Sequence, residues 1–283
     1  VRPGSAFHRD LFCRTFIETH VPYEPERLPW PALDGVHLER LRAIPFWGHA
    51  RAIEHHAGEM VSDFAATLAD AQIREAVALQ GYEERRHGLL MAHVIERYGI
   101  DVPAAAPEGS SDGANADDFL VFGFSECADS FAGFGAFAIA RAMRLFPESL
   151  LGIFEQVLFE EARHITFFIN WWRYELARDG DPNALQRTLR AVGYHIRAVR
   201  QVAHTVGDGP PISLSDARAV FPGVTPAEFL AAGLAENRRV LARLDRRLIK
   251  PRLVPRIATA LLLAIRMLPP RPAAAPETAL ANA

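Results

Sequence analysis

The sequence predicts an all-α protein, a four-helix bundle in an up-down-down-up arrangement followed by extra C-terminal helices. Three observations predict it. Four long stretches carry apolar residues at three-and-four spacing, short, long and short connections join them, and no alternating strand pattern or glycine-rich phosphate loop occurs. With 283 residues and 49% hydrophobic content the chain can bury a full core, read here as one large globular unit. The formal charge of -3, from 31 basic and 34 acidic residues, gives no sign of nucleic acid as the main partner, and none is expected. Cys13 and Cys127 make no disulfide framework and no C-x-x-C pair, so a reducing, cytoplasmic setting is expected. The N-terminus has no apolar segment of signal-peptide length, and no run approaches the ~18 to 20 apolar residues of a spanning helix. Val1 in place of Met leaves room for a missing leader.

Residues 1–45 carry Pro3, Pro22, Pro25, Pro29, Pro31 and Pro45, which suggests a wrapping arm with one short helix near Val36 to Ala43. The bundle is expected over 46–180. Its first helix, Phe46 to about Ala69, sets Trp47, Glu54, Val61, Ala65 and Leu68 on one face; the second, Gln72 to Tyr98, sets Ile73, Val77, Gln80, Glu84, His87, Met91 and Val94 on one face and stops at Gly99. Gly99 to Ala116, rich in Pro, Gly and Ser, is a loop that can span roughly 60 Å at ~3.3 Å per residue. It can therefore return along bundle helices of about 40 Å. The third helix, Asp117 to Phe146, aligns Phe119, Phe122, Glu126, Ser130 and Phe137 and ends at Pro147. The fourth, opened by Glu148 or Ser149 and running to about Arg178, aligns Phe154, Val157, Glu161, His164, Phe168 and Trp171. Residues 181–283 form a helical extension packed on the bundle, with helices from Asn183 to about Val206 and from Thr225 to about Leu248, the latter with Thr225 as N-cap and Pro226 at its first position.

The two halves of the bundle repeat a chemical pattern. A lone Glu (Glu54) is followed by Glu-x-x-His (Glu84, His87), then a lone Glu (Glu126) by Glu-x-x-His (Glu161, His164). Each half is one helical hairpin, so separations of 30 residues (Glu54 to Glu84) and 35 residues (Glu126 to Glu161) return the paired acids to a similar height. Glu and His three apart share a helix face. Carboxylates in an apolar stripe need cations, and four of them balance two divalent ions. One Glu-x-x-His alone reads as a solvated face; two in phase with apolar stripes and opposite inward acids point to metal.

This pattern resembles the ferritin-like di-iron carboxylate proteins, in which two single Glu residues and two Glu-x-x-His motifs bind metal inside a four-helix bundle. The resemblance covers about residues 46–178 and implies Glu54, Glu84, His87, Glu126, Glu161 and His164 as ligands of two iron ions, with Mn/Fe as an alternative to Fe/Fe. Glu59 competes with Glu54, but it stands only 25 residues from Glu84 and off the face of Glu54. Both motifs also share the form (Asp/Glu)-Glu-x-Arg-His, similar to the hydroxylase subunits of bacterial multicomponent monooxygenases. A metal-bound imidazole is usually held through its other ring nitrogen. Glu83 with Arg86 and Glu160 with Arg163 can provide that hold, each acid serving the opposite helix's His; exposed ion pairs along one helix are the other reading.

Among activities of the resembled proteins, storage shells use shorter chains, rubrerythrin-like peroxidases carry a paired-cysteine module absent here, and the radical Tyr of ribonucleotide reductase would fall at Met91. What the resemblance implies is an O2-activating oxygenase or oxidase that oxidises a small or lipid-like organic substrate and takes electrons from a ferredoxin or flavin reductase. The alternative is a ferroxidase or iron-binding protein without organic substrate. Ser130, one turn after Glu126, stands where such hydroxylases place a Thr in the oxygen pocket, although a helix serine also bonds its i-4 carbonyl. Gly123, Gly133 and Gly135 suggest room for close helix packing or for a substrate cavity. His49, His55, His56, His93, His195 and His204 lack paired spacing and read as structural or surface groups, with His195 kept as a pocket residue. The basic and apolar segment 246–268 can rest on an anionic membrane, on its own bundle or on a homodimer mate.

Overall fold

The computed structural model describes residues 1–102, 114–205 and 220–267, and every regular element among them is helical. In order they are α1 (Ala6–Glu18), a 3-10 turn (Pro25–Arg27), α2 (Gly35–Arg42), α3 (Trp47–Thr67), α4 (Ala71–Tyr98), α5 (Ala116–Ala142), α6 (Glu148–Arg178), α7 (Ala184–Thr205), α8 (Pro226–Leu241) and α9 (Leu253–Met267). Most of the expected loop from Gly99 to Ala116 lies outside the described residues, as does the side chain of His204.

Local chemistry explains the ends. Asp70 caps α4 by accepting from the backbone N–H of Gln72 and Ile73, and Gly99 closes it in the left-handed region (φ 58°). Asn115 with Asp118, and Thr225 with Glu228, form capping boxes at the starts of α5 and α8. Two helices stop earlier than their apolar periodicity suggests. α5 ends at Ala142 because the chain turns through Arg144 at φ 53° and sends Leu145 back into the core. α8 ends at Leu241, after which Leu244 and Leu248 reach the core from turns.

The arm differs from its sequence reading by one helix. α1 occupies the proline-free window between Pro3 and Pro22, capped by Ser5 and burying Leu11, Phe12, Cys13 and Phe16. It packs on α4 and α6. The main core gathers side chains from α1, α3, α4, α5, α6 and the C-terminal segment, with Phe64 stacked on Phe119 and both edge-on to Trp171.

Glycines set how closely α3 and α4 approach. A Cβ on Gly58 would stand 2.9 Å from the Arg85 backbone nitrogen, and one on Gly81 3.0 Å from that of Ser62, closer than real Cβ atoms tolerate or nearly so. These pairs run antiparallel, and one turn further a Cβ on Gly88 would meet the Glu54 Cβ at 3.6 Å. The close approach therefore brings Glu54 over the Glu84 and His87 face. The glycines of α5 serve packing at two positions: a Cβ on Gly123 would clash with ring carbons of Phe168, and one on Gly135 would stand 3.3 Å from Gly233 of α8.

Candidate metal centre

One group of side chains in the described residues brings metal-ligating atoms together. Donor atoms of Glu54, Glu84, His87 and Glu161, from α3, α4 and α6, lie within 4.8 Å of one another and could hold a metal ion. His87 Nδ1 stands 3.1 Å from Glu161, 3.6 Å from Glu84 and 3.6 Å from Glu54. His164 lies beside this group, its Nδ1 3.0 Å from Glu84 and 3.7 Å from Glu161, and the two imidazole centroids are 5.7 Å apart. Glu84 and Glu161 thus each turn one oxygen toward each imidazole. Glu126, expected as a ligand, is not part of this convergent group; its carboxyl on α5 is raised first by burial and then by the charges of Glu161, Glu84 and Glu54. Glu59 is outside the group and pairs with His55 across a helix turn at 3.6 Å. The Ser130 hydroxyl is buried and donates to Glu161 at 3.5 Å, a long contact.

The outward ring nitrogens define the tautomers. His87 Nε2 donates to Glu160 at 2.8 Å, and His164 Nε2 donates to Glu83 at 2.8 Å. Each acid serves the His of the opposite helix. With one proton committed to Nε2, each Nδ1 faces the carboxylates, where it carries either a second proton or a lone pair for a cation. Both Nδ1 atoms are buried without a hydrogen-bond partner. Two lone-pair donors facing a cluster of carboxylate oxygens repel unless protons or a cation lie between them, and the donor set of Glu oxygens and imidazole nitrogens suits a divalent transition metal. The residues fit a metal on this ground.

The ion pairs behind the imidazoles cross between helices instead of running along one. Arg163 donates twice to Glu83, at 2.7 and 2.9 Å, and Arg86 donates to Glu160 at 2.7 Å, whereas Arg86 and Glu83 on the same helix are 3.9 Å apart. All four side chains are buried, so the alternative of exposed pairs on one helix does not describe them. Residues three apart share a helix face, yet the shorter contacts run between α4 and α6, which face each other at this level.

The arm supplies contacts that the sequence did not signal. His20 bonds Glu83 through Nδ1, Thr19 accepts from Arg163 Nε at 2.9 Å, and the Phe16 carbonyl accepts from the same guanidinium. On the other side the Tyr23 hydroxyl donates to Glu160 at 3.3 Å, its ring lies 3.9 Å beneath Arg86, and the Val21 carbonyl accepts from Arg86. Residues 16–23 thus contact both arginines and both acids, although Arg86 Nε has no hydrogen bond. No residue spacing links them to the helices, so only their polar character near a helix end could have drawn attention. Replacing His20 with Asn is expected to weaken metal affinity by up to about 10-fold, less than losing Glu83 directly behind the His164 imidazole, because His20 acts through Glu83. Competition with a chelator dye measures this, and an unchanged affinity would show that Glu83 is held without His20.

The charges are shared unevenly. Burial pushes the Glu54 carboxyl up to about 7, opposed by His87 and reinforced by Glu161 and Glu84. Burial, then the same neighbouring carboxylates, raises Glu126 well above the usual range. Burial alone would lower His87 and His164, but the acids around them raise both well above an ordinary imidazole. Burial alone would raise Glu83, Glu84, Glu160 and Glu161, but their hydrogen bonds and imidazole charges lower all four. These directions give a sign for stability. Raised groups contribute stability that is complete below their unfolded values, ~6.5 for His and ~4.3 for Glu, and is lost as pH rises through their folded values. Metal-free protein is therefore expected to lose thermal stability from pH 6 to pH 9, while bound metal replaces the protons and flattens that slope. Melting curves with and without a divalent ion test it; an equal slope in both would contradict it.

Of the other histidines, His93 stacks near Trp30 at 5.2 Å, and His195 lies 5.0 Å from Phe124 with Nδ1 bonded to the Ala191 carbonyl. Neither joins the cluster. Comparison of the chain with protein-family models, with curated proteins and with solved structures gives no match. The reading of the site therefore rests on its own geometry.

Proposed function

We propose that this chain is a non-haem di-iron, oxygen-activating oxygenase or oxidase that hydroxylates or otherwise oxidises a small or lipid-like organic substrate. The single observation that carries the proposal is the pair of buried imidazoles whose Nδ1 atoms stand 3.0 to 3.1 Å from carboxylate oxygens without a well-aligned hydrogen bond, each clamped from behind by an acid of the opposite helix. The ferritin-like bundle order belongs to the same proposal. Contacts of Gly58 on α3 with Arg85 on α4, of Gly81 on α4 with Ser62 on α3, of Glu83 with His164, of Gly123 with Phe168, and of Phe64 with Phe119 support antiparallel neighbours in the order α3, α4, α6, α5.

In this reading Glu54, Glu84, His87, Glu126, Glu161 and His164 would hold two iron ions, which when reduced supply the electrons and oxidising power for O2 chemistry. The protein's own part is positional. Glu84 and Glu161 present separate oxygens to the two imidazoles, Glu83 and Glu160 fix the rings and their tautomers, and Arg163 and Arg86 keep those acids ionised. Ser130 can hold or pass a proton beside Glu161. Phe119, Phe124, Phe134 and Phe168, all buried, keep bulk water from the α5 side. A ferredoxin or flavin reductase would supply electrons.

Oxygen uptake by reduced, iron-loaded protein, measured against a panel of lipid and amino-acid substrates, tests the activity. Substrate-dependent O2 use with an oxidised product supports it. Iron oxidation beyond two ions per chain with no substrate dependence would replace it by the ferroxidase reading.

A further inference from the structure

Sixteen large apolar side chains are exposed among the described residues, and eight of them lie on just two helices, α7 and α9. Scattered exposed apolar residues need no explanation, whereas concentration on particular elements does. On α7, Leu185, Leu189, Ile196 and Val199 recur at helical spacing along one outward stripe. Its buried contacts, Ala191 and Ala198, lie on a different face. On α9, Ala258 and Leu262 face the protein while Ile257, Leu261, Leu263 and Met267 face out. These eight side chains are between 48% and 83% exposed. Both helices pack on α5, the helix that carries Glu126.

The charge on the same two helices is one-sided. α7 contains Arg187, Arg190, Arg197 and Arg200, α9 contains Arg256 and Arg266, and neither contains an Asp or Glu. Some of this charge is used internally, since Arg197 pairs with Asp117 and Arg187 with Asp181 at 3.5 Å. Arg190, Arg200, Arg256 and Arg266 are exposed. An apolar stripe beside arginines, without acids, is the pattern of a helix lying in the plane of an anionic bilayer surface. A second copy of this chain fits less well. A two-fold interface sets each patch against itself, which would bring the arginines of acid-free helices together. Nor is a spanning role open to these helices, since no helix among the described residues is long and apolar enough to cross a membrane.

We propose that α7 and α9 form a docking face for an anionic lipid surface, which seats the protein with its α5 side toward the bilayer. This inference does not depend on the metal chemistry. Co-sedimentation of the full chain with vesicles of phosphatidylglycerol and, separately, of phosphatidylcholine tests it. At least tenfold stronger binding to phosphatidylglycerol, weakened by salt, is expected. Leu189→Glu with Val199→Glu, and separately Arg190→Glu with Arg200→Glu, should each lower that binding at least tenfold, with unchanged circular dichroism showing that the variants remain folded. Equal binding to both vesicles, or none, overturns the proposal. So does a dimer that Leu189→Glu dissociates while vesicles leave the protein in solution, because the face would then be covered by a second copy.

Discussion

Glu84→Ala is expected to lower divalent-metal affinity more than about 100-fold, beyond the 10- to 100-fold typical of a residue that only supports a ligand. Glu84 is 1% exposed and turns one oxygen to His164 at 3.0 Å and the other to His87 at 3.6 Å. Its loss would therefore affect donors on both sides of the cluster at once. Glu161 has the mirror arrangement, at 3.1 Å from His87 and 3.7 Å from His164, and Glu161→Ala should behave alike. Glu59→Ala provides the contrast, since Glu59 contacts His55 at a half-exposed position and should leave affinity unchanged. Chelator competition on all three variants decides the matter; equal affinities for Glu84→Ala and Glu59→Ala would contradict the assignment.

Arg163→Ala should cost about 3 to 5 kcal/mol of folding stability, the usual result of breaking a buried pair by removing one partner. The guanidinium is 2% exposed, donates twice to Glu83, reaches Thr19 and the Phe16 carbonyl of the arm, and lies 4.3 Å above the Phe16 ring. Its removal would leave Glu83 buried with a net negative charge and release the arm from α6. A drop in Tm of roughly 10 °C is expected for a chain of this size. Arg163→Lys should recover only part of it, because one ammonium cannot reproduce the forked set of contacts. A shift below about 2 °C for the alanine variant would mean that the crossed ion pairs add little.

The comparison of sequence with structure divides along a physical line. The long helices were legible because their apolar stripes persist over many turns and their caps are written in single residues such as Gly99 and Thr225, whereas the Asp70 cap of α4 shows only in the structure. The acids and imidazoles were legible because they interrupt those stripes in phase, and Glu54, Glu84, His87 and Glu161 do converge. What periodicity could not supply was register between elements. The pairing of Arg163 with Glu83 and of Arg86 with Glu160 depends on how α4 faces α6, and sequence proximity suggested the pairing within each helix. The arm was the least legible part. α1 is 13 residues long and sits among prolines, and the contacts of His20 and Tyr23 bridge 63 and 137 residues of chain. The two glycines that let α3 approach α4, Gly58 and Gly81, likewise acquire meaning only from what a Cβ would strike.

The central claim is that the convergent acids and imidazoles are a two-metal site. Its most direct measurement is the iron content of the wild-type chain after anaerobic loading with ferrous ion and removal of unbound metal, with Glu84→Ala measured in parallel. Two irons per wild-type chain and a large loss in the variant are predicted. A wild-type chain that retains no iron, or a variant that retains as much as the wild type, would contradict the account.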